Sequence, residues 1–97
     1  MHAAVAVFEL HFGQSQSLKE KRAQLRPLVE GLANRFSISV AETDFQDLWQ
    51  RSQIGVAVVS STPALVAQVL DDVERFVWSF PELEVTGTQR HWLEIDS

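Results

Sequence analysis

At 97 residues the chain has room for one hydrophobic core and is read as a single domain over 1–97. Its lack of cysteine excludes a disulfide framework, a thiolate zinc site and a cysteine nucleophile. Eight Lys and Arg against 13 Asp and Glu leave a net charge of −5, which argues against broad affinity for nucleic acid while permitting a local basic patch. No run nears the roughly 20 apolar residues that span a bilayer. Met1 to Leu10 lacks a basic start and contains Glu9, so a cytoplasmic protein without signal peptide or membrane segment is expected.

Ala3 to Phe12 reads as a strand. Ala4, Ala6, Phe8, Leu10 and Phe12 share one face, while Val5, Val7, Glu9 and His11 share the other, as in a central strand with one side partly open. Gly13 to Gln16 supplies a polar turn. Ser17 then opens a helix: its hydroxyl can accept from the amide three residues on, and Glu20 is placed to reach back in a capping box. Leu18, Leu25, Leu28, Val29, Leu32, Ala33 and Phe36 form its apolar stripe. Pro27 opposes that stripe and predicts a kink, or a break into two short helices, because an interior proline costs about 3 kcal/mol.

Phe36, Ile38 and Val40 alternate with Ser37, Ser39 and Ala41, the period of a half-buried strand. Glu42 to Arg51 reads as a polar, irregular connection, and Gln53 to Ser60 as a second central strand. Thr62-Pro63 caps a helix that turns Leu65, Val66, Val69, Leu70, Val73, Phe76 and Val77 inward until Pro81 ends it. Leu83 to Ile95 is the last strand, bulged or bent near Gly87. Packing both helices on the apolar face of four antiparallel strands buries every stripe at once. The expected fold is therefore an α+β, ferredoxin-like β-α-β-β-α-β sandwich with the first and third strands central.

Four surfaces are candidates for function. The connection Glu42 to Arg51 is longer than a hairpin needs. Glu42, Asp44 and Asp47 could gather around Mg²⁺ or Ca²⁺, or they could cap the turn and pair with Arg51 while Leu48 and Trp49 pin the loop to the core. Gln50 completes that loop surface. At the first helix, Lys19, Arg22 and Arg26 fall at i, i+3 and i+7 as a basic ridge suited to phosphate, or as a solvated face partnered by Glu20 and Glu30. Lys21 and Arg22 lie within the angular range of the apolar stripe, where their stems would cover it and their heads reach outward.

Trp78 lies opposite Val69 and Phe76, either as an interface anchor or folded back on Pro81. The open sheet face is expected to carry Glu9, His11, Arg90 and Trp92. Its central strands offer no aromatic for base stacking, so burial in a homodimer or a Glu9–Arg90 pair is the more economical use. His2, His11 and His91 are far apart in sequence and form no metal-ligand spacing. Ser60-Ser61-Thr62 has no identifiable base, so no catalytic set, metal centre or cofactor is assigned.

Ser17 to Arg22 (SLKEKR), Val40-Ala41-Glu42, Asp47 to Arg51 (DLWQR) and Gly55 to Ser60 together resemble the YlxP-like family of small bacterial proteins of unknown function. The likeness covers nearly the whole chain and implies a ferredoxin-like sandwich. The family's genes often lie among genes for translation and ribosome maturation, which implies a role near RNA or the ribosome. Three functions are weighed, in this order. The first is a non-enzymatic module contacting RNA or a ribosomal assembly through Lys19, Lys21, Arg22 and Arg26 beside the 42–51 loop. The second is a protein-interaction or homodimer unit using the sheet face or Trp78, and the third is a small enzyme built on Glu42, Asp44, Asp47 and Arg51.

Overall fold

A computed structural model describes residues 1–95; the single-domain reading of 1–97 also takes in residues 96 and 97, which lie outside the described residues. The elements are β1 (His2–His11), α1 (Leu18–Arg35), β2 (Ser39–Asp44), β3 (Arg51–Ser60), α2 (Pro63–Trp78) and β4 (Glu84–Glu94). The strands form one antiparallel sheet in the order β2-β3-β1-β4, the ferredoxin-like arrangement with β1 and β3 central.

The alternation in β1 puts Ala4, Ala6, Phe8 and Leu10 inward beside Ile54, Val56 and Val58 of β3, and both helices cover that face. Leu25, Leu28 and Leu32 of α1 meet Val66, Leu70, Val73 and Val77 of α2 in the same core. Gly31 lets the helices close up: a Cβ there would lie 2.5 Å from Phe76 Cζ, so only a hydrogen fits opposite that ring. Leu65, expected inward, is 54% exposed, because it stands in the first turn, where its amide donates to the capping hydroxyl of Thr62.

The caps follow local chemistry. Ser17 Oγ accepts from the Glu20 amide at 3.1 Å, while the Glu20 carboxylate accepts from the Gln16 amide at 2.7 Å, one residue before the cap. Pro27 stands inside one continuous helix, so the alternative of two short helices does not occur. Its position is exposed, where water can satisfy the carbonyl that lacks a helical donor. The second strand starts at Ser39, later than the alternation from Phe36 suggested. Phe36 is the C-cap of α1, extended in backbone but donating its amide to Leu32 O, with its ring edge-on to Phe76 at 6.2 Å.

Both edge strands carry a bulge. In β4 the register slips between Glu9↔Gly87 and Leu10↔Val85, leaving Thr86 as the extra residue beside the expected Gly87. In β2 it slips between Glu42↔Ile54 and Asp44↔Gln53, leaving Thr43 over Gly55.

Candidate functional site

The end of the sheet where β1 runs into α1 also holds the β2–β3 connection, and a buried lysine joins the two. Lys21 is fully buried. Its Nζ donates to Glu42 Oε2 at 3.1 Å and to the carbonyls of Phe45, Arg51 and Gln46 at 2.8, 3.1 and 3.3 Å. An ammonium has three protons, so these four acceptors share them and the group is saturated. Ser52, also buried, donates from Oγ to the same Glu42 oxygen at 2.6 Å. This corrects the expectation for Lys21: its head turns inward under the loop, and it has no exposed atom to offer a phosphate. The helix stripe places it there, and the converging carbonyls make burial of the charge tolerable.

The same geometry corrects the acidic-loop expectation. Glu42 pairs with Ile54 of the inward face and is held by Lys21 and Ser52. Asp44 accepts from the adjacent Phe45 amide at 2.7 Å, and Asp47 is exposed. Among the described residues no three His, Cys, Asp or Glu side chains gather as metal ligands. The lysine ammonium occupies the point on which the loop carbonyls converge.

Three further contacts fix the loop. The Phe12 amide donates to Gln50 O, Gln50 Nε2 donates to Ser15 O at 3.1 Å, and the Leu48 amide closes a turn on Phe45 O. Phe45 has φ 63°, a left-handed conformation that costs a non-glycine residue energy. It is held there by Lys21 at its carbonyl and by the Arg51 guanidinium 3.9 Å above its ring. Arg51 therefore stacks on Phe45, in place of the expected pairing with the loop carboxylates.

Leu48 and Trp49 were expected to pin the loop, yet they are 43% and 55% exposed. With His11, Asp47, Gln50 and Arg51 they line an open cleft of about 530 Å³. The loop is fastened from below by polar groups and leaves its apolar side chains on the outside. Just along α1, Lys19, Arg22 and Arg26 are exposed, and among the described residues none has an ion-pair partner, Glu20 and Glu30 included.

The sheet-face candidates separate. Glu9 and His11 do lie on the open face; Glu9 Oε1 accepts from Gln53 Nε2 at 2.6 Å, and His11 Nδ1 lies 3.9 Å from Glu84. Arg90 and Trp92 stand opposite Ala6 and Ala4, so they belong to the helix side, contrary to expectation. Arg90 reaches Asp71 at 3.0 Å and Glu74 at 3.6 Å on α2, which removes the expected Glu9–Arg90 pair. Trp92 and Trp78 are 52% and 58% exposed and contribute nothing to the cleft. Sequence reasoning missed Ser15 and Ser52 as buried members of this site. The signal for Ser52 was its place in the inward row with Ile54, Val56 and Val58.

A family model described as "Protein of unknown function (DUF503)" matches residues 3–90. The chain is 43% identical over 76 residues to the "Uncharacterized protein YlxP" of Bacillus subtilis (strain 168), a match spanning 78% of this chain and 83% of that protein. Among solved structures it is similar to the de novo designed protein Foldit4, with a TM-score of 0.54 at 8% identity over 99% of this chain and 100% of that one. A de novo designed protein with ferredoxin fold gives 0.52 at 11% identity over 100% and 89%. At such identities the likeness speaks for the fold alone.

Proposed function

The chain belongs to the DUF503 family of proteins of unknown function, and from that premise we propose that it is a non-enzymatic binding module for single-stranded RNA, acting near translation or ribosome assembly. The observation that carries this reading is the loop at the cleft. A fully buried lysine, a carboxylate and a serine hold its backbone, yet Leu48 and Trp49 face outward. A purely structural loop would gain about 2 kcal/mol by turning such side chains into the core. Held outward on a fixed backbone, Trp49 offers a flat face for an unstacked base, and Arg51 lines the same cleft. Lys19, Arg22 and Arg26, exposed and unpaired among the described residues, supply phosphate contacts along α1. The resemblance to a family linked with translation genes makes ribosomal RNA the natural candidate.

Fluorescence anisotropy of labelled single-stranded RNA across a salt series tests the proposal. Three phosphate contacts predict that log K falls with log salt at a slope of about −2. Replacing Lys19, Arg22 and Arg26 together by alanine should flatten that slope. Trp49→Ser should weaken binding about 5- to 150-fold, the range for losing one base stack, while leaving stability within about 0.5 kcal/mol. No binding at low salt, or a Trp49→Ser protein that binds as well as the parent, would refute it.

A further inference from the structure

The outer edge of β4 supports an inference independent of the cleft. β4 ends the sheet, so among the described residues no strand pairs with its far side. Met1 and Ile95 exchange backbone hydrogen bonds, the Met1 amine donating to Ile95 O at 3.2 Å and the Ile95 amide to Met1 O at 3.0 Å. Antiparallel ladders alternate, so Leu93, His91 and Gln89 also turn their backbone groups toward β1, while Thr88, Arg90, Trp92 and Glu94 turn theirs outward. Natural edges are blunted by lysine, proline or a bulge. This one has neither Lys nor Pro, and its bulge at Thr86 leaves residues 87–94 in regular register. Trp92, Leu93 and Ile95 stand 52%, 57% and 38% exposed along it.

We propose that this edge pairs antiparallel with the same edge of a second copy of the chain, about a two-fold axis through Trp92. The edge is complementary to itself in that register. Trp92 meets Trp92 of the second copy, and on either side of the axis Arg90 meets Glu94 of the other chain. All of these residues turn their backbone groups outward, so each facing pair exchanges two main-chain hydrogen bonds. Arg90, Trp92 and Glu94 stand opposite Ala6, Ala4 and His2, so their side chains share the helix side of the sheet and face their counterparts directly. Arg90 reaches Asp71 and Glu74 through Nη2 alone, which leaves its other nitrogens for the incoming carboxylate. An axis at Arg90 or at Glu94 would set like charges opposite each other, and one at His91 would leave both charges without a partner. β2, the other edge, is shorter, bulged at Thr43 and acidic at Glu42 and Asp44, so two copies of it would repel.

The seam is short. Residues 89–95 at about 3.4 Å each span roughly 24 Å, and a strand edge of that length buries less than about 1,000 Å² over the two chains. Contacts of that size belong to reversible associations, held here by directional main-chain bonds as in strand addition. The expected particle is an exchanging dimer with a dissociation constant on the order of 10–100 μM.

Sedimentation equilibrium of the full chain, from about 5 μM to about 1 mM, should pass from monomer to dimer. Glu94→Lys puts a cation opposite Arg90 of the other chain at both ends of the seam and should raise the dissociation constant about 10-fold or more. Glu94 is exposed, so the variant should keep its fold, as checked by circular dichroism. Crosslinking reads the register, because the chain has no cysteine of its own. Trp92→Cys brings two thiols together across the axis at a Cα separation of about 5.5 Å, within disulfide range, and should crosslink in mild oxidant at about 1 mM protein. Thr88→Cys, whose two thiols would stand about 27 Å apart in this register, should stay uncrosslinked. A wild-type protein that is monomeric at about 1 mM overturns the proposal, as does a folded Glu94→Lys variant that dimerises like the parent. A Thr88→Cys variant that crosslinks as fast as Trp92→Cys overturns it too.

Discussion

Replacing Lys21 with methionine keeps most of the side-chain volume and removes only the cation. The Glu42 carboxylate, 20% exposed, is then left with the Ser52 hydroxyl alone, and the carbonyls of Phe45, Gln46 and Arg51 face an apolar methyl group. Removing one partner of a buried ion pair costs about 3–5 kcal/mol, and the added cavity term is small because methionine is only one heavy atom shorter than lysine. For a domain of this length 1 kcal/mol moves the melting temperature by about 4–8 °C, so Lys21→Met should melt on the order of 20 °C lower. Urea titration and thermal melts give the global figure, and hydrogen exchange at the Leu48 amide, which closes the loop turn on Phe45 O, gives the local one. Adding Glu42→Leu should recover only part of the loss, because three backbone carbonyls still lack a donor. A single variant within about 1 kcal/mol of the parent, with Leu48 protection unchanged, would refute the claim that Lys21 holds the loop. A double variant more stable than the parent would refute it as well.

At Gly31, alanine should gain about 1 kcal/mol in helix propensity yet lose more to the Phe76 ring, leaving a net destabilisation of up to about 2 kcal/mol by urea titration. In a Phe76→Leu background the same change should become stabilising, and a stabilised single variant would show that the ring moves aside freely. Arg90→Ala should cost about 0.5–1 kcal/mol, falling as salt rises, because its partners Asp71 and Glu74 are 54% and 36% exposed and open to screening. A loss unchanged in high salt would point to packing in place of charge.

Much of the architecture was legible because it rests on short-range regularities. The alternation in β1, the Ser17 and Thr62 caps and the stripe on α1 each depend on residues within one or two turns of one another. What escaped depended on contacts between distant segments. The bulge near Gly87 could be anticipated, but its consequence could not be read off. One extra residue, Thr86, reverses the parity of everything beyond it, which carries Arg90 and Trp92 from the open face to the helix side. Phe36 and Ile38 imitate a strand by alternation, while the partner that settles Phe36, the ring of Phe76, is 40 positions away. Lys21 stood in the apolar stripe in plain view. Its burial could be recognised only by knowing that three carbonyls and a carboxylate from residues 42–51 converge there.

The segments that carry the family resemblance are brought together by that lysine. SLKEKR supplies Lys21, and Arg51, the last residue of DLWQR, supplies a carbonyl to it, so part of the shared sequence is accounted for by folding the loop. Folding does not account for Trp49 in the same way, since it is exposed and contributes no contact to the anchor. Anchor and surface can therefore be separated by experiment. Lys21→Met should lower RNA binding and stability together, whereas Trp49→Ser should weaken binding alone. A Trp49→Ser protein that lost stability as Lys21→Met does would return the tryptophan to the scaffold and remove the strongest support for a binding role.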